Sequence, residues 1–420
     1  MKNKMLMLAD WHCASSGFGT VTKGLLPEFR KAFKEIIFVA INYYGEEYKD
    51  GNITVVPAKT YFVPLNKPEN QDPFGKHSFL YILSQDNQID FVFIMQDVSI
   101  GIELISVMRT LRLHRLNNNK KSFKSCFYFP IDGSIEKSLF NEIDFFDLLV
   151  TYNQYSKNEV LKHRPELFKK IKVIPHGTNT TDFFPMDKEE VLEFRNGYFG
   201  NNSDKVIITT INRNQPRKAI GDTILAFIEA KNMWQSAAYN GGNKLFLYLH
   251  MMDSDFHMCG YDLRKIFSQT DLVENVDYKI ADQYFFTQLN GADISILRGI
   301  YNASDVFVTN TTGEGYGLTV IESMACRLPV VAPNHTSLVE IGGNGKRMYA
   351  MEELEPFINQ FDSLIRLRAN IEETAEKIVL AVKSKFSGQD KQMVDAAQRY
   401  VNSFNWNNLA KLFIDYFNEL

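Results

Sequence analysis

The sequence predicts an α/β protein with two doubly wound parallel sheets. Short apolar segments alternate with amphipathic helical segments along most of the 420 residues, which is the pattern of strand–helix–strand units. A chain of this length is too long for one compact core and indicates two domains. Glycine-containing turns follow several apolar segments, at the position where open α/β sheets bind ligands.

The first half of the chain supplies the strands of the first sheet. Apolar runs predict strands at 5–9, 36–41, 89–95, 125–129, 148–151 and 171–174. Helical spacing predicts helices over 19–33 and 101–113. Segment 43–80 is less regular, and its pieces stay unassigned. Because Asp10 interrupts the apolar N-terminal segment, we interpret that segment as a strand and not as a signal peptide.

A second series of the same kind follows 183–204, a looser segment that we interpret as the interdomain connection. Its predicted strands are 206–211, 245–250, 306–308 and 330–332. Its predicted helices lie near 219–232, 294–303, 318–327 and 370–384. Apolar side chains at helical spacing predict further helix within 390–420.

Composition excludes several classes of protein. The chain is 45% hydrophobic and 23% charged, as in ordinary soluble proteins, and its net charge of −4 gives no basic field for nucleic acid or acidic membranes. Its four cysteines contain no C-x-x-C pair, which argues against a zinc site or a disulfide framework. No apolar run reaches the roughly 18 residues of a membrane-spanning helix. We therefore expect a cytoplasmic protein, with peripheral membrane attachment left open, and the host cytoplasm if the chain is viral.

The most informative stretch is 304–341. It predicts a strand, a polar break, a glycine turn, a helix and a second strand, so the turn lies at the carboxyl end of a strand. Gly315 and Gly317 let the backbone approach a bulky group. The N–H groups of Leu318 and Thr319 would then face an anion from the helix N-terminus.

Two carboxylates, Glu314 and Glu322, flank this turn in the sequence EGYGLTVIE. They would be surplus beside a site that bound only phosphate. They fit a ligand that also carries hydroxyl groups, such as a nucleotide sugar with its hexose, ribose and pyrophosphate. The alternative is an ordinary βαβ turn with solvated acids.

Two cations, Arg213 and Lys218, stand five residues apart in NRNQPRK, after the predicted strand 206–211. Cations fixed at this point would stabilise the negative charge that builds up on a departing nucleoside diphosphate, without a metal. Arginine grips two oxygens, whereas lysine acts as a point charge. A solvated basic turn is the alternative, and the neighbouring Arg217 is not part of the predicted site.

Together these motifs resemble the retaining glycosyltransferases of the GT-B family, the GT4-like group (glycosyltransferase group 1) that contains sucrose synthase. The family's E-x7-E motif is matched by Glu314 and Glu322. Arg213 and Lys218 have the family's spacing, although Ala219 stands where glycine is usual. In the family the first glutamate contacts the transferred sugar and the second holds the ribose.

The resemblance implies the GT-B fold, with two Rossmann-like doubly wound parallel-sheet domains facing across a cleft. It places an acceptor-side domain at 1–185 and a donor-binding domain at 186–388. A C-terminal helix within 389–420 would cross back to the first domain.

The resemblance also implies the site. Its catalytic residues would be Arg213, Lys218, Glu314 and Asp132. Its residues for the donor, a UDP- or GDP-sugar, would be Gly17, Gly19, Arg213, Lys218, Gly315, Tyr316, Gly317, Leu318, Thr319 and Glu322. We expect no further cofactor and no metal. The leaving phosphate would help to deprotonate the incoming hydroxyl in a front-face substitution.

The glycine loop after the first strand resembles the family's first-domain loop, which closes over the donor phosphates or the acceptor. A dinucleotide fingerprint would need a third glycine and an acid at the end of the second strand. The chain has Thr22 and Asn42 instead. A turn without ligand contact remains the alternative for Gly17 and Gly19.

Three further features carry open alternatives. Asp132, in YFPIDG, would hold an acceptor hydroxyl or a donor-sugar hydroxyl, or cap the following turn. We interpret His176 as a structural histidine. The acids of DSD, 253–255, resemble the metal site of another glycosyltransferase fold, but that fold lacks E-x7-E.

The basic run 109–124 leaves the acceptor class open. Its usual interpretation is a solvated helix end, but an anionic acceptor, such as a phospholipid surface, a phosphoglycan or modified DNA, would also fit. The predicted function is transfer of a sugar to an acceptor hydroxyl. The alternative is a sugar-nucleotide-binding protein without transfer.

Overall fold

A computed structural model describes residues 2–58, 72–236, 243–255, 259–287, 292–360 and 362–420. Residues 59–71, part of the unassigned segment 43–80, lie outside this set. The chain divides into two compact units. The first comprises Met1–Ile131, Ile135–Gly177 and Asn405–Leu420, and the second comprises Asp132–Ser134 and Thr178–Phe404. The divisions at 177/178 and 404/405 differ from the expected 185/186 and 388/389.

The first unit is built on a sheet that is parallel except at one edge. Its strands are β1 (Lys2–Asp10), β2 (Phe33–Ile41), β3 (Tyr48–Asp50), β4 (Ile53–Pro57), β5 (Phe91–Met95), β6 (Lys124–Phe129), β7 (Leu148–Thr151) and β8 (Ile171–Val173). Their order is β3-β4-β2-β1-β5-β6-β7-β8, with β3 antiparallel to β4. Because the order turns at β1, this part of the chain is doubly wound, as predicted.

Helices cover this sheet and close its core. They include α1 (Gly17–Ala32), α2 (Lys76–Gln85), α3 (Val98–Glu103), α4 (Ile105–Asn117) and α5 (Gln154–His163). The predicted helix over 101–113 is therefore two helices that meet at Leu104. The central strands are near-continuous apolar runs because both faces of a parallel sheet are buried.

The second unit contains a parallel sheet and a separate hairpin. The sheet strands are β9 (Val206–Ile211), β10 (Leu245–His250), β11 (Tyr278–Ile280), β12 (Val306–Val308), β13 (Val330–Pro333) and β14 (Tyr349–Met351). Their order is β11-β10-β9-β12-β13-β14. The hairpin pairs β15 (Leu354–Ile358) with β16 (Ile365–Ala369), and the sequence analysis did not predict it. The strand order reverses between β9 and β12, which makes the carboxyl ends of these two strands the expected ligand edge.

The helices of the second unit are α6 (Lys188–Phe199), α7 (Ile220–Ser236), α8 (Leu263–Phe267), α9 (Tyr284–Thr287), α10 (Ile294–Ala303), α11 (Leu318–Ala325), α12 (Ser337–Gly342), α13 (Ile371–Ser387) and α14 (Lys391–Asn402). Helices α7 and α13 bury apolar faces in one core cluster with β9 and β10.

The interpretation of 183–204 as a loose connection is wrong, because helix α6 occupies most of it. Asp187 and Glu190 form a capping box at its start. Arg195 anchors the helix, since it donates to the carbonyl oxygen of Ser203 (2.7 Å) and pairs with Asp305 (2.9 Å). The D-x-x-E spacing that marks this helix start is visible in the sequence.

The last helix, α15 (Trp406–Glu419), belongs to the first unit and packs on α1. Phe413 and Phe417 lie 5.9 and 5.6 Å from the ring of Phe29. The return to the first unit starts at Asn405, whereas α14 stays in the second unit. Among the described residues, no helix combines the length and the apolarity needed to cross a membrane.

Candidate functional site

Two loops meet at the edge of the second sheet, at the point between β9 and β12 where the strand order reverses. One follows β9 (212–219) and the other follows β12 (309–317). Because β9 and β12 are parallel neighbours, their loops leave the sheet at the same edge. The N–H of Thr312 donates to the carbonyl oxygen of Arg217 (2.8 Å), which joins the loops directly.

The buried carboxylate of Glu314 is the centre of this site. Its Oε1 accepts from Lys218 Nζ at 2.5 Å, and its Oε2 lies 3.2 Å from Arg217 Nη1. Burial would raise the pKa of Glu314, but the charges of Lys218 and Arg217 outweigh it and lower that pKa to about 2. Glu314 is therefore ionised at neutral pH, and Lys218 is its ion-pair partner.

Arg217, which the sequence analysis left out, lies between two carboxylates. Its Nε is 3.0 Å from Asp132 Oδ2, and its Nη1 donates to the carbonyl oxygen of Gly313 as well as facing Glu314. The short 3-10 turn Pro216–Lys218 places this side chain beside Lys218. Two adjacent cations after a proline were the available signal, but only the second matched the family spacing.

Asp132 belongs to the second unit and is held by two arginines. Its Oδ2 pairs with Arg217, and its Oδ1 lies 3.3 Å from Arg366 Nη1. Arg366 is on β16, in the hairpin that the sequence analysis missed. Its side chain is 7% exposed and also pairs with Asp362 at 2.6 Å.

Arg213 and Lys218 have different partners, although the sequence predicted that they act together. Arg213 has a side chain that is 61% exposed, and its Nε lies 3.3 Å from Asp255 Oδ2. The other acid of the DSD motif, Asp253, pairs with Arg264 at 2.7 Å. Each acid of the motif thus has an arginine partner. Within the described residues, no group of three or more His, Cys, Asp or Glu side chains is arranged to hold a metal.

Glu322 has surroundings unlike those of Glu314. It lies in the second turn of α11, and its Oε2 accepts from the hydroxyl of Tyr301 on α10 at 2.8 Å. Burial raises the pKa of Glu322 to about 7; Asp182 adds to this shift, whereas the hydrogen bond from Tyr301 opposes it. Tyr301 is fully buried and was not singled out in the sequence.

The glycine turn lies between the two glutamates and starts α11. Gly317 is the N-cap residue, with φ of 103°, in the left-handed region that favours glycine. The N–H groups of Leu318 and Thr319 occupy the first helical turn, whose donors have no partners within the helix. Tyr316 is 6% exposed, and its carbonyl oxygen accepts from Ser337 Oγ at 2.7 Å.

Gly17 and Gly19 lie in the first unit, at the start of α1. Ser16 caps this helix by accepting from the N–H of Gly19 at 2.9 Å. A Cβ on Gly19 would lie 2.6 Å from the carbonyl oxygen of Ala14, so packing of the helix start requires a glycine there. Donor contact by these two residues stays a prediction.

The arginines of the basic run 109–124 pair with other groups of the first unit in the described structure. Arg109 pairs with Glu142 at 3.2 Å, and Arg112 pairs with Asp147. Arg115 is buried and donates to the carbonyl oxygen of Ile89 at 2.6 Å and to those of Leu83 and Asp86. The arginines of the run therefore have intramolecular partners.

His176 is a buried core residue, as interpreted. Its ring packs 4.2 Å from that of Tyr152 and 5.9 Å from that of Trp406. Burial lowers the pKa of His176 to about 3, so the ring is neutral at physiological pH.

Comparison with known proteins finds a match for the segment that holds both glutamates. Residues 250–366 match the family model described as Glycosyl transferases group 1. The chain is similar to that family over this segment. It is also 27% identical over 301 residues to a protein named "Probable sucrose-phosphate synthase" from Thermosipho melanesiensis. That match covers 69% of this chain and 61% of the relative, which is less than two thirds of its length.

Solved structures show the fold that surrounds segment 250–366. Sucrose-phosphate synthase from Thermosynechococcus elongatus matches with a TM-score of 0.68 and 14% identity, over 100% of this chain and 99% of the other. HepE from Anabaena in complex with UDP matches with a TM-score of 0.66 and 11% identity, over 100% of both chains. The fold is GT-B, as the sequence predicted.

The group 1 match includes only part of the charged cluster. Glu314, Glu322 and Arg366 lie inside 250–366, whereas Lys218 and Arg217 precede it. The family match therefore covers the segment that holds the two glutamates. The position of the two cations beside Glu314 comes from the structure alone.

Proposed function

We propose that the protein is a retaining glycosyltransferase that moves a sugar from a nucleoside diphosphate sugar to an acceptor hydroxyl. One observation carries this proposal: Glu314 is ionised, buried and paired with Lys218 at the reversal point of the second sheet, next to the N-terminus of α11. This places a permanent anion, a cation and free helix donors at one edge. A sugar diphosphate needs all three.

Each part of the donor has a partner in this proposal. The N–H groups of Leu318 and Thr319 receive the diphosphate, whose charge suits a helix N-terminus. The carboxylate of Glu314 accepts from hydroxyls of the transferred sugar. Glu322 accepts from the ribose hydroxyls. The proposed donor is a UDP- or GDP-sugar, and we choose UDP-glucose as the first probe because HepE structures hold UDP and UDP-glucose.

The chemical step breaks the bond between the anomeric carbon and the diphosphate oxygen. The acceptor oxygen forms its bond on the same face, and its proton passes to the leaving phosphate oxygen. Negative charge on the leaving group rises in the transition state, so Lys218 and the helix donors stabilise that state more than the bound donor. Retention of anomeric configuration follows from attack on this face.

Arg213 would act differently from Lys218. Its side chain is 61% exposed, whereas that of its partner Asp255 is 4% exposed. Arg213 would therefore reach a phosphate oxygen from the solvent-exposed side of this pair. Lys218 is held in place by Glu314 before the donor arrives.

The acceptor is a hydroxyl compound, and a glycan, a lipid-linked sugar or a modified nucleic acid would each supply one. The pairing of Arg109, Arg112 and Arg115 within the protein favours an acceptor whose binding does not depend on the charge of 109–124. Salt-insensitive turnover would agree with this assignment, since contacts to an anionic surface weaken as salt rises.

A panel of nucleoside diphosphates and their sugars tests the proposal. By thermal shift, a ligand at 100 times its Kd stabilises the protein by roughly 2.7 kcal/mol, and we expect this for one base only. The same donor is then incubated with and without acceptor sugars, and the anomeric configuration of the product is determined by NMR. Retained configuration supports the proposal. Binding with neither transfer nor hydrolysis would instead support a sugar-nucleotide-binding protein.

A further inference from the structure

Six charged side chains of the second unit form a chain of alternating sign. Neighbours in the chain are 2.6, 3.3, 3.0, 3.2 and 2.5 Å apart. In order they are Asp362, Arg366, Asp132, Arg217, Glu314 and Lys218. The chain contains three positive and three negative groups, and each group is held in position by the oppositely charged group next to it.

Three members of this chain are buried more deeply than the other three. The side chains of Arg366, Glu314 and Lys218 are 7%, 9% and 10% exposed, whereas those of Arg217, Asp362 and Asp132 are 23%, 24% and 35% exposed. Charges at low exposure are poorly screened by solvent, so their arrangement depends strongly on their neighbours. Arg366 is therefore well placed to influence Glu314 without touching it.

Arg366 holds both the backbone and the side chain of Asp132. Its Nη1 lies 3.3 Å from the carbonyl oxygen and 3.3 Å from Oδ1 of that residue. Two further hydrogen bonds, of 3.0 and 2.6 Å, fix the guanidinium to Asp362. The planar fork of arginine suits this double task, which a lysine cannot reproduce in full.

The loop that carries Glu314 rests directly on Asp132. A Cβ on Gly313 would lie 1.6 Å from the carbonyl oxygen of Asp132, so this contact admits only glycine. Arg217 adds a second tie, because it donates to the carbonyl oxygen of Gly313 and pairs with Asp132. A shift of Asp132 would therefore move both the backbone beside Glu314 and one of its two cations.

We infer that Arg366 is a positioning residue for sugar transfer, which fixes the carboxylate of Glu314 through Asp132 and Arg217. This inference rests on the proposed function, in which Glu314 contacts the transferred sugar. The inference also assigns a role to the β15–β16 hairpin. The hairpin is a two-stranded addition beside the parallel sheet, with Ile358 and Ile365 largely exposed, and it delivers Arg366 to the site.

The test compares Arg366→Met with Arg368→Met, which changes an arginine two residues away on the same strand. Arg368 is 48% exposed and lies 3.6 Å from Asp222, outside the charge chain. Arg366→Met should lower kcat with UDP-glucose, or the donor that the panel identifies, by about 10- to 100-fold, because small misplacement of a reacting group is costly. The Kd for UDP should stay unchanged, and Arg368→Met should match wild type. Arg366→Lys should recover part of kcat.

A double-mutant cycle separates positioning from a general loss of structure. If Arg366 acts through Asp132, then Arg366→Met made in an Asp132→Asn background should lower kcat by less than about threefold, because coupled residues are not additive. Additive losses in kcat that run parallel to a fall in Tm would show a structural role only, and would overturn the inference.

The outcomes distinguish the inference from the function on which it rests. Wild type that neither transfers nor hydrolyses any donor overturns the proposed function, and the inference with it. Active wild type with an Arg366→Met variant that behaves like Arg368→Met overturns the inference alone. Loss of kcat at constant UDP affinity, with a non-additive cycle and partial rescue by lysine, supports it.

Discussion

Glu314 and Glu322 lie eight residues apart in one motif, yet the structure gives them opposite electrostatic surroundings. Glu314 is paired with Lys218 and faces Arg217, so its pKa falls to about 2. Glu322 accepts a hydrogen bond from the neutral Tyr301. Burial raises the pKa of Glu322 to about 7. Glu314 is buried and Glu322 is half-buried. Because the more deeply buried carboxylate has the lower pKa, the difference in pKa lies in the partners and not in the burial.

The difference in pKa indicates that the two glutamates are suited to different chemical roles. Groups of one type whose pKa values are driven apart in one site commonly divide the chemistry between them. Glu314 is a constant anion, which fits hydrogen bonds to sugar hydroxyls throughout the reaction. Glu322 changes its charge near neutral pH, so its affinity for ribose hydroxyls would depend on pH.

The largest expected effect is that of Glu314→Gln. The variant should lose about 100-fold in kcat, as for removal of one preorganised polar group. It should also lose about 3 kcal/mol of stability, because a broken buried pair leaves Lys218 uncompensated. Transfer assays and urea unfolding measure the two losses, with the exposed Glu376→Gln as control.

A second variant separates activity from folding at this position. Glu314→Leu combined with Lys218→Met replaces the buried pair by apolar side chains, which is often neutral for stability. Stability should return while transfer does not. A double variant with normal turnover would contradict the role of both residues.

The next effect concerns stability against pH at Glu322. The pKa of its carboxyl is about 7 in the folded chain, against an ordinary value of 4.5. Between these values the folded state binds more protons than the unfolded state, so the free energy of unfolding falls as pH rises. The loss amounts to about 3 kcal/mol by pH 8. Urea unfolding from pH 5 to pH 8 should show it as the difference between wild type and Glu322→Gln, because other titrating groups such as the buried His176 contribute equally to both.

The matched control for this measurement is Glu314→Gln. The pKa of Glu314 is about 2, which is below the range tested. The free energies of unfolding of Glu314→Gln and of wild type should therefore differ by a constant amount from pH 5 to pH 8. If the wild-type and Glu322→Gln curves ran parallel, the contrast between the two glutamates would fail.

The sequence alone could not predict most of the contrast between Glu314 and Glu322. It did predict the strands and loops that surround these residues. The buried strands β9 and β12 appear as apolar runs of the right length, and the loops after them carry Lys218 and Glu314. Local patterns are enough for this, because strand burial and turn chemistry are encoded over a few residues.

The partners of the charged groups follow from tertiary structure. Lys218 and Glu314 are 96 residues apart, and Asp132 and Arg366 are 234 residues apart. No periodicity joins such pairs. In the hairpin that carries Arg366, the strand Ile365–Ala369 alternates apolar and charged residues, but Pro356 interrupts the pattern of the partner strand Leu354–Ile358 and argues against a strand there. Arg217 was omitted although it stands beside Lys218 in the sequence.

A smaller effect is expected on nucleotide binding. In the proposed function the ribose binds the ionised form of Glu322, so affinity for UDP should rise with pH until the carboxyl is deprotonated. With a pKa of about 7 in the free protein, we expect about tenfold weaker binding at pH 6 than at pH 8. Calorimetric titration with UDP measures this.

The phosphate of UDP also titrates, and Glu322→Gln isolates its share. The variant should bind more weakly and keep only the pH dependence of the ligand itself. An equal pH dependence in wild type and variant would place the ribose elsewhere.

The smallest expected effect is that of Tyr301→Phe, which tests the neutral partner that distinguishes Glu322 from Glu314. The hydroxyl of Tyr301 donates to the carboxylate and so lowers its pKa against the effect of burial. Its removal should raise the pKa of Glu322 above about 7 and move the upper end of the pH range over which stability is lost upward by about one unit.

The control is Tyr128→Phe, which removes an equally buried hydroxyl that donates to the carbonyl oxygen of Ile174 at 2.8 Å. Both variants should lose stability, since each leaves a buried acceptor without that donor. Only Tyr301→Phe should shift the upper end of this pH range, because only its partner is an ionisable group. An equal upper end in the two variants would mean that the hydrogen bond from Tyr301 does not set the charge of Glu322.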